Sequence, residues 1–352
     1  MLYRETGQFK TTYAADQAMF PIPQDRIGLW VILAIAYIGI PLIGSPYLFA
    51  GLLIPALILA LAAIGLNILT GYCGQLSLGT GAFMAVGAYT AYNFVIRVPE
   101  MNLLLAFLLG GGAAALVGAL FGLPSLRIKG FYLAVATLAA QFFVDWVFIR
   151  IKWFVNYGSN ASAPEPILFG FALDTPVKKY LVALTIVAIM ALIAKNIVRG
   201  RIGRAWMAVR DMDIAAEIIG IRLLPTKLLA FAVSSFYCGV AGAMWGFLHL
   251  GAWEPLTFDI NRSFQGLFMI IIGGLGSILG SFIGAGFISA VPILISLVPA
   301  AFGVPISVAT ASHLESMIFG GLIIFFLIAE PNGIARLWQI GKEKLRLWPF
   351  PH

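Results

Sequence analysis

The chain has 352 residues, 61% of them hydrophobic and 11% charged, with a formal net charge of +7 and a mean hydropathy of +0.97. Soluble domains are about 25% charged, so a soluble fold of this size is excluded. The apolar residues come in runs instead of alternating with polar ones, which rules out a membrane barrel and leaves an all-α polytopic membrane protein.

Residues 1–26, ending in "FPIPQDR", are polar and lack the short apolar core of a removed signal peptide. They read as a cytoplasmic N-terminal segment. A transmembrane domain over 27–329 follows, and then a cytoplasmic tail, 330–352. A span needs about 20 apolar residues, fewer if it is re-entrant or packed inside the protein. That rule marks ten spans: 27–43, 47–69, 77–96, 103–123, 131–149, 180–197, 227–250, 264–276, 279–299 and 317–329, of which the eighth and tenth are short. The longest connections are 150–179, rich in turn formers, and 198–226, which carries the most basic residues.

An even number of spans puts both termini on one side. Sixteen Lys and Arg fall in the connections on that side and six on the other, so the termini and the 198–226 connection are expected in the cytoplasm. This explains the net charge without nucleic acid. Spans two to five and seven to ten form two blocks offset by five spans. They would enter the membrane from opposite sides, as in an inverted repeat.

Of the fifteen acidic residues only Asp145 falls inside a marked span, in "FFVDWVFIR". It is either an ion-coupling carboxylate or an interfacial acid reaching water or Arg150, and the second reading is favoured. The three histidines have no metal-ligand spacing, and Cys73 and Cys238 read as packing residues. There is no HExxH, GxSxG or GxxxxGK[ST] sequence, so no metal, cofactor or ATP site is expected in this chain and no enzymatic activity follows from it. Polar groups near spans two and three, Asn67, Gln75, Ser77 and Thr80, would line a translocation path or make ordinary interhelical hydrogen bonds. Pro55 and Pro292 interrupt their spans and would open backbone groups toward a cavity. Glycines recur every four residues at Gly118 and Gly122, Gly242 and Gly246, and Gly276, Gly280 and Gly284. Such flat faces let helices approach closely, within the chain before any dimer seam.

The segment "RDMDIAAEIIGIRLLP" (210–225) is the exception to an otherwise lipid-like sequence. On a helix over 210–219, Arg210, Asp213 and Glu217 share one face, with Asp211 beside it, and Met212, Ala215, Ala216 and Ile219 share the other. Gly220 and Pro225 stop it. Its acids and alanines argue for docking on another protein over lying on lipid.

Four blocks, "GLNILTGYCGQLSLGTGAFMAVGAY" (65–89), "LRIKGFYLAVATLA" (126–139), "GRAWMAVRDMDIAAEIIGI" (203–221) and "GGLGSILGSFIGA" (273–285), resemble the permeases of branched-chain amino acid ABC importers, the LivM type. The resemblance runs through most of residues 30–335. In such permeases a cytoplasmic E-A-A-x-x-x-G segment docks on the ATPase; Ala215, Ala216 and Gly220 fit it, and Ile214 stands where the first glutamate would be. The resemblance implies a bacterial inner-membrane subunit working with two cytoplasmic ATPases that hold ATP and Mg, a second related permease and a periplasmic solute-binding protein. Relatives of the family also carry urea, short amides and small aromatic carboxylates. An ion-coupled carrier that needs Asp145, or a channel-like facilitator, stays open as the alternative.

Overall fold

Apolar runs in lipid fold as helices because only an intrahelical ladder satisfies their backbone groups. The computed structural model describes residues 11–12, 23–125, 131–301, 308–330 and 333–347. Expectations for Arg4, Lys10, Arg127, Lys129 and His352 lie outside the described residues. In chain order the helices are α1 (23–43), α2 (Pro46–Tyr72), α3 (Thr80–Arg97), α4 (Leu103–Ser125), α5 (Phe131–Arg150), α6 (Pro176–Arg199), α7 (Arg201–Asp211), α8 (Asp213–Ile218), α9 (Leu223–Leu250), α10 (Ile260–Gly273), α11 (Ile278–Ala301), α12 (Val308–Ala329) and α13 (Gly333–Leu347). Several starts are written in the sequence. The Ser45 hydroxyl accepts from the Leu48 N–H at 3.3 Å ahead of Pro46, and Thr175 does the same for Lys178 at 3.4 Å ahead of Pro176. The Asp259 carboxylate caps α10 by accepting from the N–H groups of Asn261 and Arg262.

Each marked span overlaps a helix, though 77–96 starts before Thr80 and 264–276 runs past Gly273 into a turn. Among the described residues seven helices, α1, α2, α4, α5, α6, α9 and α11, are long and apolar enough to cross a bilayer. The other three fall short for physical reasons. Helix α3 carries Thr80 and Asn93 and is buried along most of its length, so it needs no lipid-facing surface. Helix α10 has 14 residues. Helix α12 starts earlier than the span read from the sequence and includes Glu315; its apolar stretch is His313–Phe326.

Helices α2 and α9 form the centre. Helix α9 packs along α4, α3 and α2, and α11 lies against α2 and α10. Glycines make these approaches possible. A methyl at Gly242 would meet the Met84 backbone of α3, one at Gly284 the Met269 carbonyl oxygen of α10, and one at Gly280 would lie 2.7 Å from the Gly273 carbonyl oxygen. Gly118 and Gly122 face Ser235 and Phe231 of α9, and Gly246 meets the Trp253 ring. Gly276 departs from the expected four-residue stripe: it lies in the α10–α11 turn with φ +72°. Cys73 and Cys238 are buried and unpaired.

Helix α1 lies at the periphery: none of its apolar window is fully buried, and Ala36, Tyr37 and Ile40 pack partly against the core. It is tied to α6 by the Tyr37 and Thr185 hydroxyls, 2.9 Å apart, and by Tyr180 Oη donating to the Ala36 carbonyl oxygen at 3.1 Å. A π turn at Phe49–Leu53 directly precedes Pro55 and absorbs the ladder bond its ring cannot make. Helix α11 runs on through Pro292. The 150–179 connection is folded. Strand β1 (Ala161–Ser162) pairs with β4 (Ala252–Trp253), and β2 (Ile167–Leu168) with β3 (Phe171–Ala172), both antiparallel. Arg97 stacks 3.5 Å over the Trp153 ring and donates to its carbonyl oxygen.

Gly242→Ala drives a methyl into the α3 backbone, an overpacking cost of about 1–3 kcal/mol, and lowers the thermal midpoint of the detergent-purified chain. Gly112→Ala, with nothing within 4 Å of the added methyl, leaves the midpoint unchanged or raises it. Size-exclusion recovery after heating measures both.

Candidate functional site

The helices define two ends of the bundle. Helix α6 begins at Pro176 at one end and delivers the 200–222 segment to the other, and α9 returns from there to Leu250.

At the 200–222 end the chain holds two interruptions closed by one buried amide. The long helix α2 finishes in a π turn, Ile68–Tyr72, and α10 gives way to α11 through Gly274–Ser277. Asn67, 1% exposed, sits between them. Its Nδ2 lies 3.2, 2.9 and 3.0 Å from the Gly274 and Ser277 carbonyl oxygens and Ser281 Oγ. Its Oδ1 accepts from the Gly276 N–H at 2.8 Å. Every polar group of this amide is engaged, so Asn67 fastens two helix breaks through interhelical hydrogen bonds.

Deeper in, the first turns of α3 and α10 meet beside α5. Gln141 Oε1 accepts from the Ala82 N–H at 2.6 Å and from Ser263 Oγ at 3.0 Å. Ser263 Oγ in turn lies 2.8 Å from the Gly81 N–H. Gln141 Nε2 reaches the Phe258 carbonyl oxygen at 2.9 Å and the Asp145 carboxylate oxygens at 3.0 and 3.2 Å. Asp145 is therefore a buried member of this junction. It accepts from Gln141, one turn before it on α5, not from Arg150. Thr80, 2% exposed, starts α3 beside the junction, and its hydroxyl has no hydrogen-bond partner. Ser77 Oγ accepts locally from the Gly79 N–H, and Gln75 Nε2 reaches only the Cys73 carbonyl oxygen, at 3.5 Å. Of the four polar residues grouped together from the sequence, Thr80 alone is at the junction with an unused hydroxyl.

The 200–222 segment differs from a single helix over 210–219. Helix α7 ends at Asp211, the backbone extends at Met212 (φ −158°, ψ 98°), and the short α8 follows. Gly220 does stop α8: with φ +90° it allows the Ile221 N–H to reach the Ala216 carbonyl oxygen at 2.9 Å and its own N–H that of Glu217 at 2.9 Å. Of the non-polar face expected to dock outward, Met212, Ala215 and Ile219 are exposed and Ala216 turns inward instead, while Asp213 of the polar face is half-buried. Ala216 is 2% exposed and faces the rest of the chain, while Met212, Ile214, Ile218 and Ile219 are 65, 64, 80 and 73% exposed. Ala215 and Glu217 are exposed between them. The inward face is anchored by the Asp213 carboxylate, 4.0 Å from Lys227 Nζ on α9, and by Trp206 Nε1, which donates to the Thr226 carbonyl oxygen at 3.0 Å.

Arg210 links this segment to the interior. Its Nη1 donates to the Gly71 carbonyl oxygen at 2.9 Å, and its Nε pairs with Asp211 at 2.9 Å. Among the described residues, an added methyl would touch the Arg210 side chain at Gly74, at φ +71°, and at Gly276. Arg210, the last turn of α2, Asn67 and the α10–α11 turn thus form one continuous chain of contacts. Sequence reasoning placed Arg210 on the docking helix, left Asn67 between a path and interhelical hydrogen bonds, and missed Gln141 and Trp206. The four-residue spacing of Gln141 and Asp145 was the available signal for the first.

A family model described as the permease component of branched-chain amino acid transport systems matches residues 48–327. The chain is 27% identical to the high-affinity branched-chain amino acid transport system permease protein LivM of Salmonella typhimurium, over 79% of this chain and 68% of that one. It is 23% identical to the probable branched-chain amino acid transport permease protein LivM of Methanocaldococcus jannaschii, over 85% and 86% of the two chains. It is also 25% identical to the autoinducer 2 import system permease protein LsrC of an Enterobacter species, over 77% and 76%. No solved structure matches.

Asn67→Leu strands the Gly276 N–H and three acceptors, at about 1–3 kcal/mol for each group left buried and unpaired, and lowers the thermal midpoint by several degrees. Gln75→Leu, which removes only one long bond, leaves it in place. Equal midpoints for the two variants in the same detergent would contradict the clamp.

Proposed function

This chain belongs to the family of branched-chain amino acid transport permeases, of the LivM type, and from that premise we propose that it is the membrane-spanning subunit of an ATP-driven importer. The observation that carries the reading is the set of Met212, Ile214, Ile218 and Ile219, exposed on a short helix that is otherwise anchored inward. Four large apolar side chains at an aqueous end form a patch that a protein partner must cover. The acids around them, Asp211, Asp213 and Glu217, are unlike the basic residues of a lipid-surface helix. The partner is a cytoplasmic ATPase, present twice, beside a second related permease and a periplasmic solute-binding protein. The solute is a branched-chain amino acid or a small polar molecule of that size. ATP and Mg belong to the ATPases.

In this reading the protein sits in a bacterial inner membrane with ten spans and both termini in the cytoplasm, on the side of the 200–222 segment. The sixteen-to-six asymmetry of basic residues supports that orientation. The two blocks read as an inverted repeat are supported by a shared pattern: α2 and α9 each end in a π turn, a loop follows, and a buried-face helix begins at the Gln141 junction, the two approaching from opposite ends. When the ATPases close on ATP, α8 moves with them. Arg210 carries that displacement to the end of α2, and Asn67 carries it to the α10–α11 turn. The two blocks then shift about the α3–α10 junction, which closes the path on one side and opens it on the other.

Extraction in mild detergent followed by mass spectrometry tests the docking. The wild-type chain brings an ATPase and a second permease with it, and Ile214→Asp with Ile218→Asp loses the ATPase while keeping the permease. Uptake of solute by the chain alone in liposomes without ATP would overturn the reading in favour of a carrier or channel.

Arg210→Ala removes a charge-assisted bond, a class worth about 1.5–3 kcal/mol. It slows ATP-driven uptake at least tenfold while the ATPase still co-purifies. Asp145→Asn keeps an oxygen for the Gln141 amide and leaves ATP-driven uptake within a few-fold of wild type, whereas an ion-coupled carrier would lose transport.

A further inference from the structure

We propose that α13 is a membrane-surface helix that binds the anionic headgroups of the bilayer at the 200–222 end of the bundle. It rests on the importer reading for the side of the membrane and not for the chemistry.

Helix α13 lies beyond residues 48–327, which the family model matches. Its start is fixed in place. Gly333, at φ +69°, returns its N–H to the Glu330 carbonyl oxygen at 2.9 Å. A methyl added there would lie 2.6 Å from the Gly274 nitrogen, so α13 begins against the α10–α11 turn that Asn67 fastens. Ala335 is buried and Ile334 packs partly against the core. Arg336 Nε stands 3.7 Å from Glu330 Oε1, which ties the helix back to the end of α12. After this first turn the apolar side chains face out: Leu337 is 49% and Trp338 58% exposed.

The sequence of α13, GIARLWQIGKEKLRL, carries four basic residues and one acidic one. At about 100° per residue Leu337, Gly341, Ile334 and Trp338 fall within one arc. Lys342 and Lys344 stand at the two margins of that arc, and Arg336 and Gln339 lie opposite it. This is the pattern of a helix lying in the headgroup layer. Bulky apolar side chains enter the acyl boundary, an indole sits at the interface, and lysine stems run along apolar surface while their ammonium groups reach phosphate. The bilayer is within reach, because only a few residues separate Gly333 from Phe326, where the apolar stretch of α12 ends. Helix α8, at the same end, has the contrary character, with isoleucines among acids. The two exposed faces therefore take different partners, protein at α8 and anionic lipid at α13.

The test uses the full-length chain, without ATPase, in nanodiscs of phosphatidylcholine alone or with phosphatidylglycerol added. A polarity-sensitive fluorophore is attached at Leu337→Cys or, on the opposite face, at Gln339→Cys; Cys73 and Cys238 are buried, and the unsubstituted chain gives the background. In discs with phosphatidylglycerol the label at 337 is expected to be quenched by lipid brominated near the headgroup. It should also be shielded from aqueous iodide at least fivefold better than the label at 339. That shielding should fall at least threefold in neutral discs, in high salt and in Lys342→Glu with Lys344→Glu, and persist in Lys342→Arg with Lys344→Arg. Equal iodide access at 337 and 339 in phosphatidylglycerol discs would overturn the placement of α13 on the membrane. Equal shielding in neutral and anionic discs, a comparison that needs no change to the lysines, would overturn headgroup recognition. Shielding that appears only once an ATPase is added would assign the face to a protein and overturn the proposal too. None of these outcomes decides the importer reading, which co-purification of the ATPase tests separately.

Discussion

A helix that stops inside a bilayer leaves N–H and C=O groups with no water to take them, so protein must close each break. Here the closure falls to two buried amides. Asn67 holds the end of α2 against the α10–α11 turn through both of its polar atoms, and Gln141 holds the first turns of α3 and α10 together. The glycine contacts between α3 and α9 and between α10 and α11 depend on these closures, because backbone can approach backbone only where the breaks are fixed in register. An amide suits the task better than a carboxylate or an ammonium: it donates and accepts at once and brings no charge into lipid.

The same economy places the 200–222 segment. The 200–222 segment reaches the membrane interior through Arg210, whose guanidinium bonds the last turn of α2 only four residues beyond Asn67. A displacement of the segment therefore acts on the fastening of both blocks at one point. The break at Met212 separates α7, packed against α6 and α9, from α8, which presents its isoleucines outward. A helix packed inward and a helix with exposed apolar residues are thereby kept as two pieces.

Much of this was legible in the sequence, and the failures have physical causes. Apolar run length found the ten apolar helices, because lipid enforces it, and passed over α7 and α13, which are amphipathic. It overstated α3 and α10, whose burial inside protein removes that requirement. Gly220 was readable as a stop because only a positive φ completes that cap. Periodicity grouped Ala215 and Ala216 with Met212 and Ile219, but it cannot tell which face turns inward. Small Ala216 packs against the chain, and the bulky residues face out. The extended backbone at Met212 had no glycine or proline to announce it. Asn67 stood out as polar, yet its partners lie more than 200 residues away, so polarity alone left a path and an interhelical clamp equally open. Gly276 fitted a packing stripe by spacing but serves a turn by its φ.

The account is tested most directly by crosslinking from the exposed face of α8. A photoreactive residue placed at Ile218 in the native membrane should capture the ATPase subunit, with the yield changing when ATP is trapped. The same residue placed at Ala216, which faces inward, should capture nothing beyond this chain. Capture of lipid alone from position 218, or of the ATPase equally from both positions, would contradict the proposal that this helix passes the work of ATP to the membrane helices.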